Sequence, residues 1–365
     1  MSATRREFLT TVSAAVAAGM AQGGFYSAAH AAEDKKLGVA LVGLGSLATH
    51  QLAPALTRSQ RCQLTAIVTG TPEKEKVWAD KYQIAPSHIY NYDSFDKIAG
   101  DDAVDIVYIV LPNSMHAEYT IRAAQAGKHV LCEKPMANSA DECRAMIRAC
   151  KEADRQLAIG YRCQFEPHHQ TCIEIARSAS MGAIRMIEAG FGFTIGDPNQ
   201  WRLKRSLAGG GALMDVGIYA LQACRYLAGE EPVSIMAQET KTDAVKFAEV
   251  DESIAWTMRF PSGVLAYCST SYNFNGLNRF RAFAEKGWFG MDPAYSYQGN
   301  RLMSSEGALE LPQIDQFAAE MDDLALCIRE KRPSRVSGEE GLKDLIAIEA
   351  IYRSIQTQSL ITLAS

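Results

Sequence analysis

Leu37-Gly38-Val39-Ala40-Leu41-Val42-Gly43-Leu44-Gly45-Ser46-Leu47-Ala48 is the stretch whose reading decides the fold. Its first half is a short apolar run of strand character. Its second half, Gly43 to Ala48, fits G-x-G-x-x-A, and residues 52–56 beyond it read as a helix. Strand, glycine turn and helix in that order form a dinucleotide fingerprint. The first glycine permits the tight turn, the second lets a pyrophosphate approach the backbone, and the small Ala48 lets helix and sheet pack closely.

Working outward, the same alternation continues. Residues 64–68, 105–111 and 129–132 read as strands, and 73–82, 116–126 and 141–153 as helices. The run 105–111 is rich in β-branched residues and stops at Pro112, as a fully buried parallel strand does. Gly127 stands where a helix C-terminal cap is required. Alternation at this spacing predicts a doubly wound parallel sheet. After about residue 160 the period changes to two, in 184–193, 233–239, 253–260, 264–271 and 279–289, interrupted by one long helix near 213–227. Two helices, 314–330 and 342–356, close the chain. The expected fold is α/β: an N-terminal Rossmann dinucleotide-binding domain (32–158), then a C-terminal α+β domain with a largely antiparallel open sheet (159–365) for substrate binding and oligomerisation.

Composition excludes several classes. The 365 residues are 47% hydrophobic and 22% charged with net charge −5, so no basic stripe speaks for nucleic acid. No run of about 18 apolar residues speaks for a stable membrane span. The seven histidines form no H-x-x-x-H pair, which argues against a zinc site. Nine cysteines without a C-x-x-C, several inside apolar runs, read as buried free thiols made in a reducing compartment. Residues 1–31 read differently. Arg5-Arg6, a weakly apolar stretch rich in Ala and Gly, and Ala29-His30-Ala31 follow the order of a twin-arginine export signal. That route carries folded proteins, so folding and cofactor loading precede export to the periplasm, and the twin-arginine machinery is an expected partner.

The chemistry-bearing residues lie at strand ends and before the long helix. About 20 residues past the glycines, an acid would hold a free ribose 2′-hydroxyl. Thr69 stands there instead, and with Lys74 it suits a 2′-phosphate, which points to NADP. Glu133-Lys134-Pro135 follows a strand on the ligand-binding edge of the sheet. Gly209-Gly210-Gly211 lets a backbone pass close to something flat or charged. Asp215 and Tyr219 follow, four apart, and share a helix face.

G-x-G-x-x-A, then E-K-P, then G-G-G-x-L-x-D-x-G-x-[HY] resembles the glucose–fructose oxidoreductase / inositol dehydrogenase family from about residue 37 to the C-terminus. Most members carry His where this chain has Tyr219. Leu111-Pro112-Asn113-Ser114 with His116, the Ile159–Cys163 segment containing Arg162, and Gln200-Trp201-Arg202-Leu203 carry the same likeness. The resemblance implies that Gly43, Gly45, Ser46, Leu47, Ala48, Thr69, Lys74, Leu111, Asn113, His116, Glu133, Lys134, Arg162, Trp201 and Arg202 serve NADP. It implies Tyr219 as acid/base, Lys134 as its electrostatic partner, Asp215 as a substrate-positioning group, and a homodimer or homotetramer. Tyrosine needs a drop of ~3 pKa units, about 4 kcal/mol, to act as a base near neutrality. One ammonium ~4 Å away at an effective dielectric of ~20 supplies roughly that. The expected activity is oxidation of an aldose to its lactone and reduction of a second sugar to an alditol with retained NADP, since an exported enzyme must regenerate its cofactor in place. The alternatives are a sugar dehydrogenase or reductase with exchangeable NADP, and a non-catalytic nucleotide and sugar sensor.

Overall fold

The computed structural model describes residues 35–363. The export signal lies outside the described residues. The first sheet has six parallel strands: β1 (Leu37–Val42), β2 (Cys62–Val68), β3 (Ile89–Tyr90), β4 (Ile106–Ile109), β5 (His129–Glu133) and β6 (Leu157–Gly160). Their order is β3-β2-β1-β4-β5-β6, the doubly wound order expected. The order reverses at β1, so the glycine turn opens into the crevice where such sheets bind ligands. The strands are almost wholly buried on both faces, which is why they read as continuous apolar runs. Helices α1 (Ala53–Arg58), α2 (Pro72–Tyr82), α3 (His116–Gln125) and α4 (Ala140–Glu152) cross between them. β6 runs to Gly160, so the first sheet closes two residues beyond the expected boundary at 158.

The second sheet has nine strands in the order β14-β13-β12-β11-β7-β10-β9-β8-β15. They are β7 (Ile184–Gly192), β8 (Ser234–Thr240), β9 (Ser253–Arg259), β10 (Leu265–Ser271), β11 (Leu277–Ala284), β12 (Gly287–Met291), β13 (Leu302–Ser304), β14 (Gly307–Leu309) and β15 (Ile361–Thr362). Only β7 and β10 pair in parallel. The single strand expected over 279–289 is a hairpin, β11–β12, turning at Glu285-Lys286. A second helix, α5 (Pro167–Arg177), precedes β7, capped by the Glu166 carboxylate accepting from the His169 amide. The helix expected over 213–227 begins as a wide turn with i→i+5 hydrogen bonding (Leu213–Gly217) and continues as α7 (Ile218–Ala228), after the single-turn α6 (Arg205–Ala208). The segment Arg205–Ala228 is apolar enough by composition to cross a membrane, but 78% of its most apolar window is buried inside the fold. All nine cysteines are buried and free, as expected.

The closing helices α8 (Gln316–Glu330) and α9 (Gly338–Thr357) pack against both domains. Asp322 of α8 accepts from the Ser59 hydroxyl and the Arg61 amide, and the carboxylate capping α8, Asp315, pairs with Arg58. The Ala140 amide of α4 donates to Glu349 of α9 at 2.7 Å. The two domains are thereby stapled around one cleft.

Candidate active site

A cleft of about 800 Å³ opens between the domains at the C-terminal ends of β1, β2, β4 and β5. Gly43 turns there with φ +94°, and a Cβ on it would meet the Val110 carbonyl oxygen at 2.5 Å, so only glycine makes the turn. A Cβ on Gly45 would meet nothing within 4 Å, which leaves a path for a phosphate to reach the backbone. Ala48 is fully buried against the sheet, in the packing role expected of the motif's last position. At the end of β2 the Thr69 hydroxyl accepts from the Thr71 amide at 3.2 Å. Lys74 reaches across from α2 to donate to the Leu44 carbonyl at 2.9 Å. A neutral hydroxyl and an ammonium at this lip, without a carboxylate at position 69, suit a dinucleotide carrying a 2′-phosphate.

The foot of the cleft holds the titratable cluster. Lys134, just past β5, donates to the Asp215 carbonyl at 2.6 Å and to Asp215 Oδ1 at 3.0 Å. Arg202 Nε and the Tyr272 hydroxyl donate to Asp215 Oδ2 at 3.0 and 2.9 Å. Burial alone would raise the Asp215 pKa, but Lys134 and Arg202 outweigh it and hold the carboxylate far below its ordinary value. Burial likewise disfavours the Lys134 ammonium, yet Asp215 reverses the sign and keeps it charged. The Lys134 ammonium lies 5.0 Å from the Tyr219 ring centre, and the Arg162 guanidinium lies 5.1 Å from it. Two cations face this ring where one was expected. Even so, burial pushes the Tyr219 hydroxyl above its ordinary value, against the pull of Arg162 and Lys134. The expected lowering by Lys134 is corrected here: its ammonium spends its hydrogen bonds on Asp215, and desolvation of the phenolate wins.

Most of the expected site residues meet in this cleft: the turn from Gly43 to Leu47, Thr69, Lys74, Leu111, Asn113, Glu133, Lys134, Arg162, Trp201, Arg202, Asp215 and Tyr219 all line it. His116 does not. It is fully buried, and its two ring nitrogens face the Pro135 and Leu111 carbonyls at 2.8 and 2.9 Å, so it braces the loops after β4 and β5. Arg162 lines the wall but binds the protein itself, donating to the Gln316 side chain and the Tyr295 and Ser296 carbonyls. Glu133 accepts from the Tyr108 hydroxyl at 2.9 Å beneath the cleft floor. The three glycines approach the chain's own groups: Gly209 faces Asn138, Gly210 the Tyr352 hydroxyl and Gly211 the charged Asp251. Asp251 accepts from the Gly211 and Leu213 amides at 2.6 and 2.8 Å, and a Cβ on Gly211 would strike the Asp251 carbonyl oxygen. Tyr272, Tyr297 and Asn278 also line or complete the site and are absent from the sequence reading. No local pattern marks them, because the end of β10, the strand β11 and the loop between β12 and β13 bring them together only after the sheet has formed.

Comparison with known proteins agrees with this fold. Residues 37–161 match the oxidoreductase family with an NAD-binding Rossmann fold, GFO/IDH/MocA, and residues 169–290 match the GFO/IDH/MocA C-terminal domain. The D-xylose 1-dehydrogenase (NADP(+)) of Haloarcula marismortui is 32% identical over 343 residues, 91% of this chain and 94% of that protein. The chain belongs to the GFO/IDH/MocA oxidoreductase family. Among solved GFO/IDH/MocA structures, aldose-aldose oxidoreductase from Caulobacter crescentus, complexed with glycerol, superposes with a TM-score of 0.88 at 47% identity, covering 90% of this chain and 100% of that one. A D-xylose 1-dehydrogenase (NADP(+)) of Haloferax volcanii is 28% identical over 88% of this chain and 98% of its own length. This GFO/IDH/MocA member is thus an oxidoreductase with a Rossmann domain and a mostly antiparallel second domain.

Proposed function

We propose that this protein is an NADP-dependent sugar oxidoreductase that oxidises an aldose to its lactone and reduces a second sugar to an alditol while keeping its cofactor. The observation that carries the reading is the meeting of Lys134, Asp215 and Tyr219 at the foot of a dinucleotide cleft. Kinship with an aldose-aldose oxidoreductase at 47% identity supports the sugar class and the paired half-reactions. Thr69 and Lys74 support NADP. NADP supplies the hydride acceptor for one half-reaction and the donor for the other. The glycine turn, Thr69 and Lys74 would hold its phosphates and adenosine end. Tyr219 takes the proton from the sugar hydroxyl during oxidation and returns one to the carbonyl oxygen during reduction. Lys134 and Arg162 stabilise the phenolate between those events. Asp215, held charged by Lys134, Arg202 and Tyr272, exchanges no proton; it orients Lys134 and, through the free lone pair of Oδ1, a sugar hydroxyl.

The test is to purify the mature protein, release and identify any bound nucleotide, and offer pairs of sugars without added cofactor. Lactone and alditol in equal amounts, over many turnovers, are expected. The two D-xylose dehydrogenases among the relatives favour a second reading, a sugar dehydrogenase with exchangeable NADP. Turnover that stops without added NADP would select it.

The Arg5-Arg6 signal supports export of the folded holoenzyme to the periplasm by the twin-arginine route. Replacing both arginines with lysine should leave active precursor in the cytoplasm. Continued appearance of the Lys-Lys variant in the periplasm rules the route out.

A further inference from the structure

Tyr219 walls two cavities. Besides the cleft there is a much smaller chamber of about 20 Å³, and Tyr219 and Tyr295 form the partition between them. Three polar atoms on residues lining the chamber are buried without a protein partner: Nε2 of His169 and the hydroxyls of Tyr226 and Tyr295. The His169 ring is held from its other side. Nδ1 lies 3.0 Å from Glu166 Oε2, the oxygen that also accepts from the His169 amide at 2.9 Å, and the second Glu166 oxygen lies 2.6 Å from His168 Nδ1. With Nδ1 committed to the carboxylate, the ring's other protein neighbour is the Cys163 thiol, a weak partner that leaves Nε2 open to a water.

Buried polar groups without partners are rare in native proteins, because each costs its full desolvation. A cavity needs about 10–15 Å³ to hold one water, and the water needs two to four polar neighbours. This chamber offers room for one water and three such neighbours. A water has two donors and two acceptors, so it suits Nε2 in either protonation state and a hydroxyl on each side. Of the remaining lining, Cys172, Ile173, Leu227 and Phe280 are apolar, the Gln222 amide donates to Asp344, and the Cys163 thiol is only a weak partner.

We propose that this chamber is a binding site for a single buried water, hydrogen-bonded to His169, Tyr226 and Tyr295, and that the water positions Tyr219 through the Tyr295 ring. Tyr295 is the connecting piece. Its ring centre lies 6.1 Å from that of His169 and 5.5 Å from that of Tyr219. Its carbonyl accepts from Arg162 at 2.6 Å, and Arg162 in turn lies over the Tyr219 ring. Fixing the Tyr295 hydroxyl therefore fixes both the partition and the cation that faces Tyr219. The positioning role rests on Tyr219 being the acid/base group; the water site does not.

A crystal structure of the holoenzyme at a resolution that shows ordered water tests the site. Density within hydrogen-bond distance of all three atoms is expected, and an empty chamber or a direct pairing of the three side chains overturns it. Tyr226→Phe gives an independent sign. Tyr226 touches the chamber but not the cleft. If the chamber is dry, removing an unsatisfied hydroxyl leaves the melting temperature unchanged or higher. If it holds the water, the temperature falls by about 2 °C. In the same variant, single-turnover hydride transfer should slow about threefold with sugar KM unchanged, as a small misplacement of Tyr219 requires. An unchanged rate, or a rise in KM alone, overturns the positioning role. If the wild-type holoenzyme transfers no hydride from any sugar, the proposed function falls, while density and melting temperature still judge the water.

Discussion

Thr69 and Tyr219 carry the residue-scale arguments. Thr69 is buried at the end of β2, its hydroxyl already engaged by the Thr71 amide. Thr69→Asp places a carboxylate where a 2′-phosphate is received. At ~4 Å and an effective dielectric of ~20 the repulsion is about 4 kcal/mol before screening. The ratio of NADP to NAD affinity, measured by titrating stripped protein, should fall at least about tenfold. A wild type that already prefers NAD would contradict this. Burial holds the Tyr219 hydroxyl above its ordinary value, so the group is protonated at neutral pH and the base is the minor form. Below its pKa the deprotonated fraction grows about tenfold per pH unit. Single-turnover oxidation of an aldose should therefore accelerate from pH 6 to 9, while reduction of the second sugar, which needs the protonated form, stays flat. A pH-independent oxidation rate would remove Tyr219 as the base. Tyr219→Phe should slow both half-reactions by ~10²–10⁴-fold. Lys134→Ala should not add to that loss, because the lysine acts through the tyrosine. A double-mutant cycle with near-additive losses would separate the two residues.

Between elements, the strongest polar joint is α7 to α9. Arg225 and Asp344 pair there almost fully buried, with Gln222 donating to the same carboxylate at 2.7 Å and Arg225 also bonded to Glu231 at 2.6 Å. Arg225→Met strands the Asp344 charge and should cost about 3–5 kcal/mol, whereas Arg225→Met with Asp344→Leu should recover most of it. Urea unfolding of the single and double variants measures both; a double variant no better than the single would mean that the pair itself, not the stranded charge, carries the stability. These elements also show what sequence could and could not reveal. β1, β4 and β5 were legible because strands buried on both faces are continuous apolar runs ended by Gly or Pro. β11 and β12 merged because the Glu285-Lys286 turn carries no turn residue ahead of Gly287. α5 was missed because its first turn is Pro167-His168-His169, which hides its apolar stripe. β3, β13, β14 and β15 are too short to show a period. The lysine, aspartate and tyrosine of the site stood out in their motifs, but Tyr272 did not, because its bond to Asp215 spans 57 residues.

At the scale of the whole molecule, the described residues leave one face of the nine-stranded sheet exposed. Met186, Leu265 and Tyr267 are between 40% and 47% exposed on neighbouring strands, beside the Glu188–Arg279 pair. An apolar patch flanked by a pair of opposite charges can be self-complementary and suits a two-fold interface between copies of this chain. Sedimentation should find a dimer or tetramer, and Leu265→Asp with Tyr267→Glu should shift it toward monomer; a wild type that is already monomeric would refute the interface. The cleft has a different consequence. Lys134 follows the fifth strand of the first domain, while Asp215 and Tyr219 belong to the second, so the ion pair at the foot of the site is also a bond between domains. In hereditary terms the proposed acid–base machinery has two loci. Recombination that joined residues 1–161 to a relative's second domain would inherit the lysine without the aspartate selected alongside it. Exchange of halves between lineages therefore preserves the ion pair only where both partners already keep the same pairing.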